Sequence, residues 1–225
     1  MPVYQLDEEE IWFPPHGESE SDVMAVGGDL KPERLLTAYS HGIFPWYDDP
    51  EEILWWSPAE RCIVYADQVK ISKSMRNIIN RGDYKWSMDK SFRAVVEGCR
   101  SGSRVGNTWI HDEVVDAYSA LHEVGLAHSV EVWQKGELVG GLYGISLGHV
   151  FFGESMFSKA PNASKFGFIK FSQFLQSMNW RLIDCQIFNP HLGSLGAINI
   201  PREEFLKQLE IELKYPTLQG KWTRK

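Results

Sequence analysis

Residues 128–158 read HSVEVWQKGELVGGLYGISLGHVFFGESMFS, and side chains of opposite polarity alternate with a period of two along three segments of this stretch. The sequences QKGE and GH separate these segments, and both are typical of tight turns. The pattern therefore predicts three consecutive antiparallel strands, HSVEVW, LVGGLYGISL and HVFFGESMF.

Helical periodicity precedes and follows these strands. The segments DKSFRAVVEGCR and HDEVVDAYSALHEVG repeat apolar residues at helical spacing, with Asp89 and Asp112 where an N-cap belongs. After the strands, ASKFGFIKFSQFLQSMN predicts a helix, RLIDCQIF a strand, and PREEFLKQLEIEL a last helix opened by Pro201. Upstream, RCIVYADQ predicts a strand and ISKSMRNIINR a short helix. The predicted fold class is α+β, with a mixed sheet flanked by helices.

The first 60 residues or so differ from the rest, because they are rich in Pro, Gly and aromatic residues. One helix is clear there, in KPERLLTAYSHG, with Pro32 in its first turn and Gly42 at its end. We therefore expect a small N-terminal domain over residues 1–60 and a larger domain over residues 61–225.

Composition excludes several classes of protein. The net charge of -7 argues against broad nucleic-acid binding, although Lys73, Arg76 and Arg81 form one basic ridge at helical spacing. Three distant cysteines predict neither a disulfide framework nor a zinc site, and seven scattered histidines lack metal-ligand spacing. No apolar run approaches about 20 residues, and MPVYQLDEEE is acidic, unlike a secretory signal. A soluble, cytoplasmic protein is expected.

Glu154 stands inside the apolar run HVFFGESMFS, where burying a carboxylate is costly unless a partner or ligand offsets the lost hydration. Either it points outward from a solvated strand edge or it serves a bound ligand, and the pattern leaves both open. In RLIDCQIF, alternation places Leu182, Asp184 and Gln186 on one face. These polar groups and Glu154 could converge on one molecule, although an edge strand with a solvated face would show the same pattern.

Other chemistries fit less well. GESMF resembles the start of a nucleophile elbow around Ser155, but Phe157 occupies the position of the second Gly. A lone Cys in a strand, as at Cys185, is more often part of the core than a nucleophile. The order of meander, helix, strand and helix suggests the N-acetyltransferase fold, yet the pyrophosphate loop that acetyl-CoA needs is absent, since Pro190 stands where Gln or Arg is required. Another acyl donor is favoured.

Eight stretches in order resemble leucyl/phenylalanyl-tRNA-protein transferases: GIFPWY, LWWSP, NTWI, HSVEVW, LVGGLYG, FFGESMFS, NASK and LIDCQ. The combination of FPW, WWSP, GESMFS and IDCQ is specific, whereas one of them alone would be weak. The resemblance implies an aminoacyltransferase that moves Leu or Phe, and less readily Met, from aminoacyl-tRNA to the N-terminal Arg or Lys of acceptor proteins, marking them for N-degron proteolysis. It also implies a catalytic domain similar to N-acetyltransferases (GNAT-like) behind the small N-terminal domain.

The resemblance further implies roles for individual residues. The catalytic residues would be Glu154, Asp184 and Gln186, with Gln186 orienting the amine, Asp184 polarising Gln186, and Glu154 attracting a cationic acceptor. The donor side-chain pocket would be lined by Leu142, Phe151, Met156, Phe168, Phe171 and Ile183. The 3′-terminal adenosine would be held by Trp46, Trp109, Tyr39 and Tyr118, and acceptor-stem phosphates by Lys73, Arg76 and Arg81.

Aminolysis of an activated ester requires no ATP, metal or coenzyme, so no cofactor is expected. The attacking α-amine has a reference pKa of about 7.7–8.0 and must lose a proton, for which we expect water or the ribose hydroxyl as acceptor, since a neutral amide is a poor base. Two alternatives stay open: a tRNA-dependent transferase that acts on a small-molecule or cell-wall-precursor amine, and a protein that only binds tRNA ends. A monomer is expected.

Overall fold

The computed structural model describes residues 3–18, 21–48, 52–101 and 108–223. Its α-helices span Pro32–Ser40 (α1), Lys73–Arg81 (α2), Phe92–Ser101 (α3), Asp112–Glu123 (α4), Ala163–Ser177 (α5), Pro190–Gly193 (α6) and Arg202–Glu212 (α7). Its strands span Tyr4–Leu6 (β1), Val23–Gly27 (β2), Phe44–Pro45 (β3), Leu54–Trp56 (β4), Glu60–Tyr65 (β5), Lys85–Met88 (β6), Ala127–Gln134 (β7), Glu137–Leu147 (β8), Val150–Ser158 (β9), Leu182–Gln186 (β10) and Ile198–Pro201 (β11).

Two mixed sheets organise the described residues. The four N-terminal strands pair in the order β1-β2-β4-β3, and the other seven in the order β11-β5-β10-β9-β8-β7-β6. In the larger sheet β9 and β10 are parallel and are joined through α5, whereas the remaining neighbours are antiparallel. The predicted antiparallel meander is confirmed as β7, β8 and β9, and the prediction of a mixed sheet flanked by helices is confirmed with it.

Turn chemistry fixes the register of the meander. Lys135 and Gly136 connect β7 to β8, and both have positive φ, 52° and 88°. Two successive residues with positive φ are typical of the turn whose twist matches antiparallel strands, and Gly adopts that conformation without steric cost. The connection therefore holds β7 and β8 in one alignment, with Gln134 opposite Glu137.

Two predicted helix caps are wrong. Asp89 has a φ of 53° and lies outside α3, while the carboxylate of Glu131 on β7 accepts from the backbone N–H groups of residues 90 and 91, both at 3.2 Å. Glu131 is buried, and this contact satisfies two backbone donors immediately before α3. Asp112 is the first residue of α4, and His111 holds the cap position.

Each face of the larger sheet contributes to a separate hydrophobic core, as the alternation of strand side chains requires. Phe152 packs in the core that also contains Leu35 and Trp55 from the N-terminal sheet region. Phe151 packs on the opposite face with Ile183 from β10. Among the described residues, no helix has both the length and the hydropathy needed to cross a membrane.

Candidate active site

A cavity of about 760 Å³ opens where β8, β9 and β10 approach the segment after α1 and the start of α5. Its wall combines apolar side chains, two tryptophans and a small polar group. Glu154 is the only acidic residue among the described residues that line it, and Gln186 lines it beside Glu154. This cavity brings together most of the side chains that the sequence singled out.

The apolar wall matches the predicted donor pocket except at one position. The lining includes Leu142, Phe151, Met156, Phe168 and Ile183. Phe171 lies behind this wall, where its buried ring packs edge-on against Phe151 with centroids 4.5 Å apart. Phe168 and Phe171 are neighbours on one side of α5, but only Phe168 reaches the cavity. Phe171 supports the pocket from beneath and does not line it.

Glu154 accepts three hydrogen bonds. Its Oε1 accepts from the hydroxyl of Tyr39 at 2.7 Å and from Nε2 of Gln186 at 2.8 Å, and its Oε2 accepts from the hydroxyl of Tyr118 at 3.0 Å. Burial raises the pKa of Glu154 to about 7, against the opposing effect of these donors. The carboxylate therefore changes its protonation state near neutral pH.

Tyr39 and Tyr118 are predicted to bind adenosine, but the structure does not bring their rings to the cavity. Both are fully buried, and their hydroxyl oxygens lie 2.6 Å apart. Burial and the charge of Glu154 raise the pKa of both phenols well above the usual value. Their polar ends point at Glu154 and their rings belong to the core, so a base in the cavity has no face of either ring on which to stack.

The predicted arrangement of β10 is wrong at its end. A register shift lies between Asp184 and Gln186, and Gln186 has a φ of 61°. Such a bulge breaks the alternation of the strand and redirects the residue that follows it. The side chain of Gln186 therefore meets Glu154, whereas Asp184 does not line the cavity.

Asp184 is fully buried and pairs with Arg61 from β5. The Nε and Nη2 atoms of Arg61 donate to the two carboxylate oxygens at 2.8 and 2.6 Å. Asp184 Oδ1 also accepts from the backbone N–H of Gln186 at 2.9 Å. Asp184 thus acts on the backbone of Gln186, and the predicted contact with the Gln186 side chain is absent.

Sequence reasoning missed Arg61, although a charged residue at the start of the apolar strand RCIVY was a signal. Its guanidinium lies over the rings of Phe44 and Phe205, 4.7 and 4.6 Å from their centroids. Its Nη1 donates to the carbonyl of Gly42 at 3.0 Å. Arg61 therefore ties the N-terminal region to β10, directly beneath the cavity.

The two predicted adenosine-binding tryptophans line the cavity together. Trp46 is 37% exposed, and its ring packs at a tilt on Trp56 with centroids 5.4 Å apart. The indole N–H of Trp56 donates to the carbonyl of Trp46 at 2.6 Å. Trp109 stands on the chain segment before α4 and lines the same cavity. Aromatic faces that are partly open to solvent suit a nucleobase.

The predicted phosphate-binding residues lie apart from the cavity lining, on α2. Lys73, Arg76 and Arg81 are exposed, whereas Met75 and Ile78 bury the opposite face of the helix. Arg81 also pairs with Asp83 at 2.8 Å, which reduces the charge it presents.

Several polar residues line the cavity without having been predicted, namely Arg100, Ser158, Ser164, Asn189 and His191. Arg100 pairs with Asp112 at 2.6 Å. The two alternative nucleophiles also line it, but neither is activated. Ser155 lies within β9, away from a strand-to-helix turn, and the contact of Cys185 with Cys62, together with burial, raises the pKa of Cys185.

Comparison with known proteins identifies the family of this chain. The family model described as leucyl/phenylalanyl-tRNA protein transferase matches residues 63–210, and the model for its N-terminal domain matches residues 28–59. The chain belongs to this family. The resemblance drawn from the sequence motifs is thereby confirmed, and the transferase family accounts for most of the chain.

Individual relatives extend the match to nearly full length. A leucyl/phenylalanyl-tRNA--protein transferase from Myxococcus xanthus (strain DK1622) is 49% identical over 227 residues, which cover 99% of this chain and 97% of that protein. One from Flavobacterium johnsoniae is 51% identical over 204 residues, 89% of this chain and 96% of that protein. Among solved structures, L-PGS from Bacillus licheniformis aligns with 72% of this chain and 55% of its own at 14% identity and a TM-score of 0.42, which is too low to assign a common fold.

Proposed function

We propose that this chain transfers Leu or Phe, and less readily Met, from aminoacyl-tRNA to the N-terminal Arg or Lys of acceptor proteins. One observation carries the proposal: a single cavity combines an apolar wall, two tryptophans and one carboxylate beside an amide. These surfaces suit an apolar side chain, a nucleobase and a cationic amine. Family membership supports the same assignment.

The donor's side chain occupies the apolar wall formed around Phe151 and Ile183. A wall of this kind rejects polar and charged side chains strongly, because their burial there leaves them without partners. It separates Leu from a relative that differs by one carbon by only about 1–3 kcal/mol. Secondary use of Met follows from this small difference.

The acceptor is selected by Glu154. An N-terminal Arg or Lys brings two positive charges, the α-ammonium and the side chain, into a cavity whose only acidic lining residue, among those the structure describes, is Glu154. A partly buried carboxylate attracts such an acceptor more strongly than it would in water, and Arg100 in the same cavity lining is already paired with Asp112. Acceptors with neutral or acidic first residues lack this attraction.

The chemical step is aminolysis of the aminoacyl ester. The amine nitrogen attacks the carbonyl carbon, the bond to the ribose oxygen breaks, and an amide forms. Gln186 orients the amine: its Nε2 donates to Glu154 at 2.8 Å, which leaves Oε1 as the acceptor for an amine N–H. Asp184 and Arg61 hold Gln186 in this position through its backbone. The ester is already activated, so no cofactor takes part.

The 3′ end of the tRNA lies on Trp46 and Trp109, where base stacking contributes about 1–3 kcal/mol without regard to tRNA identity. The exposed basic residues of α2, Lys73, Arg76 and Arg81, meet phosphates of the acceptor stem. Tyr39 and Tyr118 have no place in this adenosine site, since both are buried against Glu154.

Further assignments belong to the same proposal. Residues 1–60 and 61–225 form two domains, the second of them GNAT-like. The protein acts as a monomer in the cytoplasm, and its products enter N-degron proteolysis. The parallel pair β9 and β10, joined through α5 within an otherwise antiparallel sheet, supports the GNAT-like assignment.

The test is transfer of labelled Phe from Phe-tRNA to synthetic peptides that differ only in their first residue. Peptides beginning with Arg or Lys should become labelled, and matched peptides beginning with Gly or Glu should not. Labelling of small-molecule amines in preference to the Arg peptide would replace the proposed acceptor. Binding of Phe-tRNA without any transfer would reduce the protein to a tRNA-end binder.

A further inference from the structure

Glu154 in the cavity wall and two buried tyrosines form a closed triangle of short oxygen–oxygen contacts. The hydroxyl of Tyr39 lies 2.7 Å from Glu154 Oε1, the hydroxyl of Tyr118 lies 3.0 Å from Oε2, and the two hydroxyl oxygens lie 2.6 Å apart. Each contact needs one hydrogen between its two oxygens, whereas the two phenols supply only two. When Glu154 is ionised, one contact therefore lacks its proton.

A proton on Glu154 completes the triangle. With Oε2 protonated, Glu154 donates to Tyr118, Tyr118 donates to Tyr39, and Tyr39 donates back to Oε1. Every hydroxyl in this ring donates once and accepts once, and Gln186 continues to donate to Oε1. Closing the ring requires only the phenol hydrogens to turn, because the three oxygen–oxygen distances are already those of hydrogen bonds.

We propose that Glu154 takes the proton released by the acceptor's α-ammonium, and that Tyr39 and Tyr118 are positioning residues that hold its carboxylate in place and donate to its ionised form. The inference rests on the transfer reaction proposed above. The ammonium gives one proton to Glu154, the resulting amine forms the C–N bond, and a second nitrogen proton goes to the ribose oxygen as the C–O bond breaks. Glu154 then returns its proton to solvent.

In this assignment Glu154 has two successive roles, first binding the cationic acceptor and then accepting its proton. The ionised carboxylate attracts the cationic acceptor, and transfer of the proton then neutralises both groups in a cavity where isolated charges are costly. It also replaces the expectation that water takes the proton. The ribose oxygen accepts only the second proton, which leaves the nitrogen as the C–O bond breaks.

Some of the groups that face Glu154 lower its pKa and others raise it. Tyr39 on α1, Tyr118 on α4 and Gln186 on β10 donate to the carboxylate. Asp184, neutralised by Arg61, raises the pKa of Glu154, and burial raises it most. The hydroxyl of Tyr143 on β8 is buried and has no hydrogen-bond partner among the described residues, so it adds no donor. Burial and the charge of Glu154 raise the pKa of Tyr143 well above the usual value.

The experiment measures kcat/KM for an Arg-starting peptide with Phe-tRNA between pH 5.5 and 9, in wild type, Tyr39→Phe and Tyr118→Phe. In wild type, kcat/KM should fall below the pKa of Glu154, about 7, which gives the acid limb of the profile. It should also fall above the pKa of the peptide amine, which gives the basic limb. Either variant removes a donor to the carboxylate, which should move the acid limb upward by about one pH unit and lower transfer at pH 7 about fivefold.

A matched control is Tyr84→Phe, which removes a phenol that donates to the carbonyl of Pro161 at 2.9 Å, outside the ring. Its profile should equal that of wild type. Infrared difference spectra against Glu154→Gln give a reading that needs no transfer, because the protonated carboxyl band of Glu154 should titrate at a higher pH in Tyr39→Phe.

The outcomes separate the two proposals. If wild type transfers Phe but the acid limb stays in place in both tyrosine variants, or survives in Glu154→Gln, the proton assignment is wrong while the transfer function stands. If wild type transfers nothing to the Arg peptide at any pH, both proposals fail. A limb that moves together with the infrared titration supports the assignment.

Discussion

Replacing Asp184 by Asn should destabilise the protein strongly without abolishing transfer, and it should move the acid side of the transfer profile to lower pH, because the charge of Asp184 raises the pKa of Glu154. The substitution preserves the volume of the side chain and one acceptor oxygen, but it removes the charge that faces Arg61. The two side chains are 1% and 0% exposed and meet at 2.6 Å. Removal of one partner from a buried ion pair costs about 3–5 kcal/mol, because the other charge stays buried without compensation. For a chain of this size that corresponds to a melting temperature lower by about 6–20 °C.

The assay is guanidinium unfolding followed by tryptophan fluorescence, together with a thermal melt. The control is Asp116→Asn, which breaks the ion pair with Arg93, at 3.1 Å with both side chains more than 60% exposed. Exposed pairs contribute about 0–1 kcal/mol, so this variant should melt with wild type. Transfer is then measured well below the melting temperature of the Asp184→Asn variant.

A second comparison separates a structural role from a chemical one. Gln186→Met removes the amide that contacts Glu154, so it should abolish most transfer. It leaves the ion pair of Asp184 and Arg61 in place, so the free energy of unfolding should stay at the wild-type value. If Asp184→Asn unfolded within 1 kcal/mol of wild type, yet lost as much transfer as Gln186→Met, the placement of Asp184 beneath the site would be refuted and its role would be catalytic.

Three further substitutions test the substrate surfaces. Trp109→Ala should raise KM for Phe-tRNA about tenfold through lost stacking and leave kcat largely unchanged; an unaltered KM would remove Trp109 from the adenosine site. Ile183→Phe should fill part of the donor pocket and lower the kcat/KM ratio of Phe-tRNA to Leu-tRNA, and an unchanged ratio would contradict the pocket assignment. Lys73→Glu and Arg76→Glu should each lower the slope of log affinity against log salt by about 1 in tRNA titrations, whereas equal slopes would place the acceptor stem elsewhere.

The sequence predicted what depends on regular repetition. Period-two alternation identified β7, β8 and β9, and the helical spacing of apolar residues identified the described helices within a few residues, except the short α6. The apolar wall of the cavity followed from the family resemblance because most of its side chains project from regular elements. Phe171 was assigned to the wrong layer, since spacing along α5 does not tell which of two neighbours faces a cavity and which faces the core.

The polar side chains of the site are placed by a strand bulge and by contacts between distant residues, which the periodicity of the sequence does not predict. The bulge before Gln186 means that Asp184 and Gln186 do not both face the cavity, although strand alternation had predicted that both would. The sequence LIDCQ contains no signal for this bulge. Tyr39 and Tyr118 are 79 residues apart, so their contact at Glu154 is a property of the packed fold. Asp89 looked like a helix cap, but its carboxylate accepts from the backbone N–H groups of Ser129 and Trp222, which are distant from it in sequence.

The most direct test of the account is the Glu154→Gln variant, assayed for transfer of labelled Phe from Phe-tRNA to an Arg-starting peptide at pH 7 and for Phe-tRNA affinity in parallel. We expect tRNA affinity to stay at the wild-type level while transfer falls about a hundredfold or more, because the variant lacks both the anion and the proton acceptor. Transfer at the wild-type rate with intact tRNA binding would contradict it.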